Sequence, residues 1–147
     1  MKKLLFIGAL VLIGVCSVYW YQIGIPQESG QENIHKITIE GHVLSVEFAR
    51  TPQAQQRGLM YRAELAEDSG MLFLFTRAGQ QTFWNKNTLI PLDIIWIHDD
   101  IVIGISQLPA ISEGLTTVSS PTDANRVLEV NRGWAEQHHI QIGARIW

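Results

Sequence analysis

From residue 35 onward, apolar side chains recur at every second position or run continuously, in stretches of six to eight residues separated by polar or glycine-bearing breaks. Period two places alternate side chains on opposite faces, so these runs predict β-strands over His35 to Glu40, His42 to Ala49, Met71 to Thr76, Asp93 to His98, Ile101 to Gln107 and Gln141 to Ile146. Met71, Phe73 and Phe75 share one face of the third run while Leu72 and Leu74 fill the other, the mark of a strand covered on both sides. Asp99-Asp100 separates two of the runs and predicts a hairpin. Between the second and third runs the pattern changes. Thr51 can cap a helix, Pro52 suits its first position, and Gln53 to Arg57 continue it to Gly58. A second turn is expected from Tyr61 to Glu67, and another brief helix around Gly133 to His138.

Several short strands with turn-rich connections predict an α+β, mostly β domain: a curled antiparallel sheet or small barrel with short helices, behind one N-terminal hydrophobic helix. That helix is the other clear pattern. Lys2 and Lys3 precede an uncharged run from Leu4 to Trp20, closed by Tyr19-Trp20-Tyr21. Such a run can just cross a hydrocarbon core of about 30 Å, and its aromatic end suits the interface. A retained anchor is the first reading. A cleavable signal peptide and a lipid anchor at Cys16 are its rivals, although no A-x-A site follows and Val15 stands where a lipobox wants a small residue. Every reading exports the remainder of the chain, to the periplasmic or extracytoplasmic side of the inner membrane or as a secreted protein, because lysines before the span hold the N-terminus in the cytoplasm. The expected organisation is a membrane segment over residues 1–23, a Gly- and Pro-bearing linker over 24–32, and a globular domain over 33–147.

Charge and cysteine content narrow the partners. With Lys2 and Lys3 set aside, nine Lys plus Arg face 14 Asp plus Glu, a net charge of −5 beyond Ile23. That balance repels phosphate backbones, so nucleic acid is not an expected partner. The membrane is reached through the N-terminal segment, and the domain itself is left to meet a polar small molecule or an envelope protein. Cys16 is the sole cysteine, which leaves the domain without a disulfide or a thiolate metal site. The five histidines show no metal-binding spacing, and no cofactor fingerprint is present, so neither a metal nor a cofactor is expected.

Candidate chemistry gathers in Phe83 to Asp93. Lys86 brings three donors, Asn87 an amide, Thr88 a hydroxyl and Asp93 a carboxylate, a set able to grip a polar ligand, with Trp84 as a stacking surface. The same residues can equally build a structural latch, with Asn87 and Thr88 making a turn and Lys86 paired to Asp93. Arg57 and Arg62 could clamp a carboxylate, or pair internally; Glu129 and Glu47 extend the list. Were Glu47, Asp93 and Glu129 to meet in one cleft, an envelope hydrolase acting on glycan or peptide would be the alternative to a binding module. No catalytic residue is assigned.

Gly58-Leu59-Met60-Tyr61-Arg62, Gly70-Met71-Leu72-Phe73-Leu74-Phe75, Trp84-x-Lys86-Asn87-Thr88, Pro91-Leu92-Asp93 and Leu128-Glu129-Val130 occur in this order and spacing. Together they resemble the domain-of-unknown-function 192 family of bacteria and archaea, over roughly Lys36 to Trp147. The resemblance implies a compact β-rich domain, often exported or tethered behind a hydrophobic segment, and implies no established reaction. One position departs from it: the family pattern reads Trp-Met-Lys-Asn-Thr, and here Asn85 replaces the Met. A buried Asn85 would need partners, since an unsatisfied amide costs on the order of 1–3 kcal/mol.

Overall fold

The computed structural model describes residues 34–147; the expected membrane segment over 1–23 and linker over 24–32 lie outside them. No helix among the described residues is long and apolar enough to cross a membrane. Eight strands form, at Ile34–Ile39 (β1), His42–Ala49 (β2), Ser69–Gly79 (β3), Thr82–Trp84 (β4), Leu92–His98 (β5), Ile101–Leu108 (β6), Thr117–Ser119 (β7) and Ala124–Asn131 (β8). Two short helices accompany them among the described residues, Pro52–Arg57 (α1) and Trp134–Gln137 (α2), with a 3₁₀ turn at Ile111–Glu113.

Six strands make one curled sheet in the order β1-β2-β3-β8-β5-β6, while β4 and β7 form a separate two-stranded ribbon. Most neighbours run antiparallel, as expected, but β2 and β3 are parallel. The reason is the connection between them. A parallel pair needs a crossover, and residues 50–68 carry the chain over one face of the sheet by way of α1. Within that crossover the helix forms where expected: the Thr51 hydroxyl accepts from the Ala54 N–H and Pro52 opens the first turn. The segment from Tyr61 to Glu67 is irregular instead, with turns only at its ends.

Strand alternation divides the core in two. On the first face, Leu44, Val46, Leu72, Ile95, Ile97, Leu128 and Val130 pack under α2 and the C-terminal segment. On the second, Met71, Phe73, Leu92, Ile94, Trp96 and Val127 pack under the crossover and the β4–β7 ribbon. Phe83 fastens the ribbon down, its ring edge-on to Phe73 at 4.8 Å and to Trp96 at 5.6 Å between centroids. Favourable edge-to-face pairs of this kind add about 0.5–1.5 kcal/mol beyond the area they bury.

The expected last strand over Gln141 to Ile146 is reduced to a tail with two isolated bridges, Ile39 to Ile146 and Ile101 to Arg145. Thr38 and Trp147 exchange both backbone hydrogen bonds, while Val102 accepts from Gly143 and donates to Ala144. The tail thus bonds to β1 and β6, the two edges of the sheet. These edges do not pair with each other, so the sheet is curled and open, not a closed barrel. Covering both edges with one segment answers the exposed backbone groups that an open sheet would present.

Candidate functional site

The second face of the sheet carries a cleft, and the chain builds its two walls from locally stable pieces. One wall is α1 with the residues after it. A helix of six residues is marginal on its own, so tertiary contacts must hold it. The Gln55 side chain does this by donating to the carbonyls of Ala49 at 3.2 Å and Leu74 at 2.8 Å. Gly58 then ends the helix at φ +48° and ψ −137°, a backbone conformation that only glycine adopts at low cost. A Cβ there would lie 3.3 Å from Phe73 Cζ and 3.6 Å from Glu129 Oε2, so the missing side chain keeps the space beside Glu129 open.

The other wall is Trp84 to Thr88. Asn85 anchors it from below and is fully buried. Its Nδ2 donates to the carbonyls of Pro109, Ala110 and Gly114, and its Oδ1 accepts from the Thr116 N–H at 2.7 Å. The partners that a buried Asn85 requires are therefore all present, and they tie this wall to the loop before β7. The Asn87 carbonyl accepts from the Tyr61 N–H and the Asn87 amide donates to the Tyr61 hydroxyl, joining the two walls to each other. Thr88 is buried, its hydroxyl donating locally to the Lys86 carbonyl at 3.4 Å.

Glu129 forms the floor. It stands on β8 between Met71 of β3 and Ile94 of β5 in register, both apolar. Its side chain accepts no hydrogen bond among the described residues, and Oε2 is buried without a partner. Burial therefore pushes the carboxyl up from 4.5 to about 8, and at neutral pH it is a neutral acid with a proton to donate. The cavity beside it, lined by Gln55, Arg57, Met60, Phe73, Phe83 and Trp84 among others, measures ≈ 30 Å³. That suffices for one or two waters, each needing roughly 10–15 Å³, or for a single protruding oxygen atom. It shares Gln56, Arg57 and Met60 with a shallow groove of ≈ 270 Å³ lined also by Gln53, Lys86 and Asn87.

Arg57 is exposed at this rim and makes no ion pair among the described residues. Lys86 likewise has no anionic partner; its Nζ lies 4.9 Å from the Trp84 ring centroid, a cation–π arrangement. Trp84 itself is 45% exposed, whereas Trp96 and Trp134 are core residues. Two unpaired cations, an exposed indole and a neutral acid thus share one cleft. It can take an anion at its mouth and a hydrogen-bond acceptor at its depth.

Of the candidates named from sequence, Arg57, Trp84, Lys86, Asn87, Thr88 and Glu129 meet around this cleft, while Arg62 and Asp93 do not. Arg62 is bound to Glu47 through a two-pronged pair, both contacts at 2.5 Å. The expected pairing of Lys86 with Asp93 is absent for a geometric reason. Alternation along β5 sends Asp93 to the first face with Ile95 and Ile97, and the sheet lies between it and Lys86. There Asp93 Oδ2 accepts from the N–H groups of Gly133 and Ala135, each at 3.0 Å, capping α2. The three carboxylates of the hydrolase alternative are consequently dispersed: Glu47 shares a row of the sheet with Glu129 but is held by Arg62, and Asp93 faces away. Gln55 and Gly58 are among the cleft residues that sequence reasoning does not single out, as are Gln53, Gln56 and Met60. Gly58 opens the Gly58–Arg62 motif and Gln55 lies in the helix before it, and the sequence pattern marks both only as helix grammar.

The arrangement defines a class, an α+β domain with a curled mixed sheet and a cation-rimmed cleft above one buried acid. The family model for domain of unknown function 192, described as "Uncharacterized ACR", matches residues 35–147, and the chain belongs to this family. Among solved structures, it is similar to a protein of unknown function from Novosphingobium aromaticivorans DSM 12444, at 37% identity and a TM-score of 0.72, covering 78% of this chain and 84% of that one. It is similar also to a Sinorhizobium meliloti 1021 protein provisionally described as a transcription regulator, at 32% identity and a TM-score of 0.70, covering 76% of this chain and 91% of that one. No curated protein matches.

Proposed function

We propose that this protein is a ligand-binding module that holds a small anionic molecule in the cleft between α1 and Trp84–Thr88. Residues 1–23 tether the domain to the inner membrane and place it outside the cytoplasm. The observation that carries the binding reading is the pair of cations, Arg57 and Lys86, left without anionic partners among the described residues at the rim of a preformed cleft. A structural latch would have paired them, since the chain carries 14 acidic residues. The tether rests on Lys2 and Lys3 ahead of an uncharged run with an aromatic end. Regulation of transcription, the description given to the Sinorhizobium relative, is not adopted, because a net charge of −5 beyond Ile23 opposes nucleic acid.

The direct test titrates acetate, the simplest carboxylate, into the full-length protein in detergent micelles while the Trp84 indole and Asn87 amide signals are followed by NMR. Saturable shifts at millimolar acetate, abolished in the Arg57→Gln/Lys86→Gln double variant, are expected. Unchanged signals, or shifts indifferent to those substitutions, would overturn the reading.

A further inference from the structure

The dimensions of the cleft and the character of its floor restrict the ligand further, given the anion-binding reading above. We propose that the ligand is an acylated amino acid, free or at the C-terminal end of a peptide, whose carboxylate rests against Arg57 and Lys86 while its acyl carbonyl oxygen enters the cavity and accepts a hydrogen bond from Glu129.

Three observations converge on this class. The inner cavity, at ≈ 30 Å³, is too small for a sugar ring or a side chain much beyond a methyl, but it admits one oxygen atom. The group it would meet there is a carboxyl with a buried, unpartnered Oε2, held in a site where Gly58 leaves the approach clear. A neutral acid donates through its O–H, so the complementary atom is an acceptor, which an ammonium group cannot supply. The outer groove of ≈ 270 Å³ lies at the lower limit of sites for small molecules, roughly 300–1,000 Å³, which fits one residue of a chain and leaves the remainder in solvent. A carboxylate and a carbonyl separated by one substituted carbon supply the anion and the acceptor together.

The charged groups around Glu129 are consistent with this polarity. Arg57 comes from the end of α1 and Lys86 from the opposite wall, while Glu47, in the same row of the sheet, is neutralised by Arg62. From β3 and β5 only Met71 and Ile94 face it in register.

The test compares N-acetylalanine with acetate on the full-length protein in micelles, using the same Trp84 and Asn87 signals. N-acetylalanine is expected to bind at least tenfold more tightly than acetate. Glu129→Leu, which removes the donor, should erase that advantage and leave acetate binding intact; Glu129→Gln, which keeps an N–H donor, should retain most of it. The advantage should also shrink as pH rises through about 8 in the original protein and stay level in Glu129→Gln. Equal affinity for the two ligands, or a tenfold preference that survives Glu129→Leu, would overturn the assignment of the acyl carbonyl to Glu129 while leaving anion binding in place. Failure of both ligands to bind would remove the anion site and this inference with it. A thermal melt of each variant establishes that it is folded, and acetate binding serves as the internal control for an intact cleft.

Discussion

Asp93 and Glu129 are carboxyl groups on neighbouring strands, one register step apart, and both are nearly inaccessible, at 2% and 5% exposure. They face opposite sides of the sheet, and although each has one buried oxygen without a partner among the described residues, Asp93 Oδ1 and Glu129 Oε2, they differ in what the remaining oxygen meets. Asp93 Oδ2 receives two backbone N–H groups at the start of α2, and its role is to hold the chain turn that covers the first face. Glu129 receives none, and the second face is left with a buried acid beside an open cavity. Burial of a polar group is costly unless hydrogen bonds offset it, so the two residues mark different uses of the same chemistry. One closes a face and the other lines an open cavity.

The contrast can be broken most forcefully through pH. Glu129 binds a proton up to about pH 8 in the folded protein and only to about 4.5 when unfolded. Between those values the unfolded state holds fewer protons, so stability declines as pH rises, is fully present below about 4.5, and is lost on passing through 8. Complete ionisation corresponds to a loss on the order of 5 kcal/mol. Urea unfolding of the original protein and Glu129→Gln should therefore converge near pH 4.5 and diverge by several kcal/mol at pH 9, the variant being the more stable. Parallel curves would mean that Glu129 is not a neutral acid in the fold.

Asp93→Ala should act in the opposite direction at pH 7, losing about 3 kcal/mol, because it strands the N–H groups of Gly133 and Ala135. If the loss is below about 1 kcal/mol, the cap is not what holds α2. Asn85→Ala tests whether the second face also contains groups of the satisfied kind. With three carbonyls and one N–H left unmatched, a loss of about 2 kcal/mol is expected in the same assay. The smallest effect belongs to Lys86→Met, which deletes a charge that no anion meets. Stability should stay within about 0.5 kcal/mol, and a loss of 2 kcal/mol would restore the latch reading of this loop.

Much of this architecture is legible in the sequence where the deciding forces are local. Thr51, Pro52 and Gly58 mark the bounds of α1 because caps and backbone conformations depend on adjacent residues. The Asp99-Asp100 hairpin forms without glycine because Asp99 itself takes φ +54°. The strands β4 and β7 escape detection, since three residues are too few for a period and their pairing joins positions 35 residues or so apart. The parallel pairing of β2 with β3 departs from the expected antiparallel sheet, although the helix between them is the usual companion of a parallel crossover. For the site, residue types were informative and facing was not. Alternation within Leu92–His98 already separates Asp93 from Ile94 and Trp96, but which face carries the cleft follows only from the tertiary path of residues 50–68 and 80–91.

The tail that bridges β1 and β6 has a bearing on how the molecule folds. Its bonds connect Thr38 with Trp147 and Val102 with Ala144. The first of these joins residues more than a hundred positions apart, a loop closure that is entropically expensive and rewards the chain only after the intervening sheet exists. The clasp is thus a late event, and until it forms both margins of the sheet are available to other chains. Its release later, by thermal fluctuation, would bare the two margins together, so their amide hydrogens should exchange as one cooperative unit although four strands lie between them.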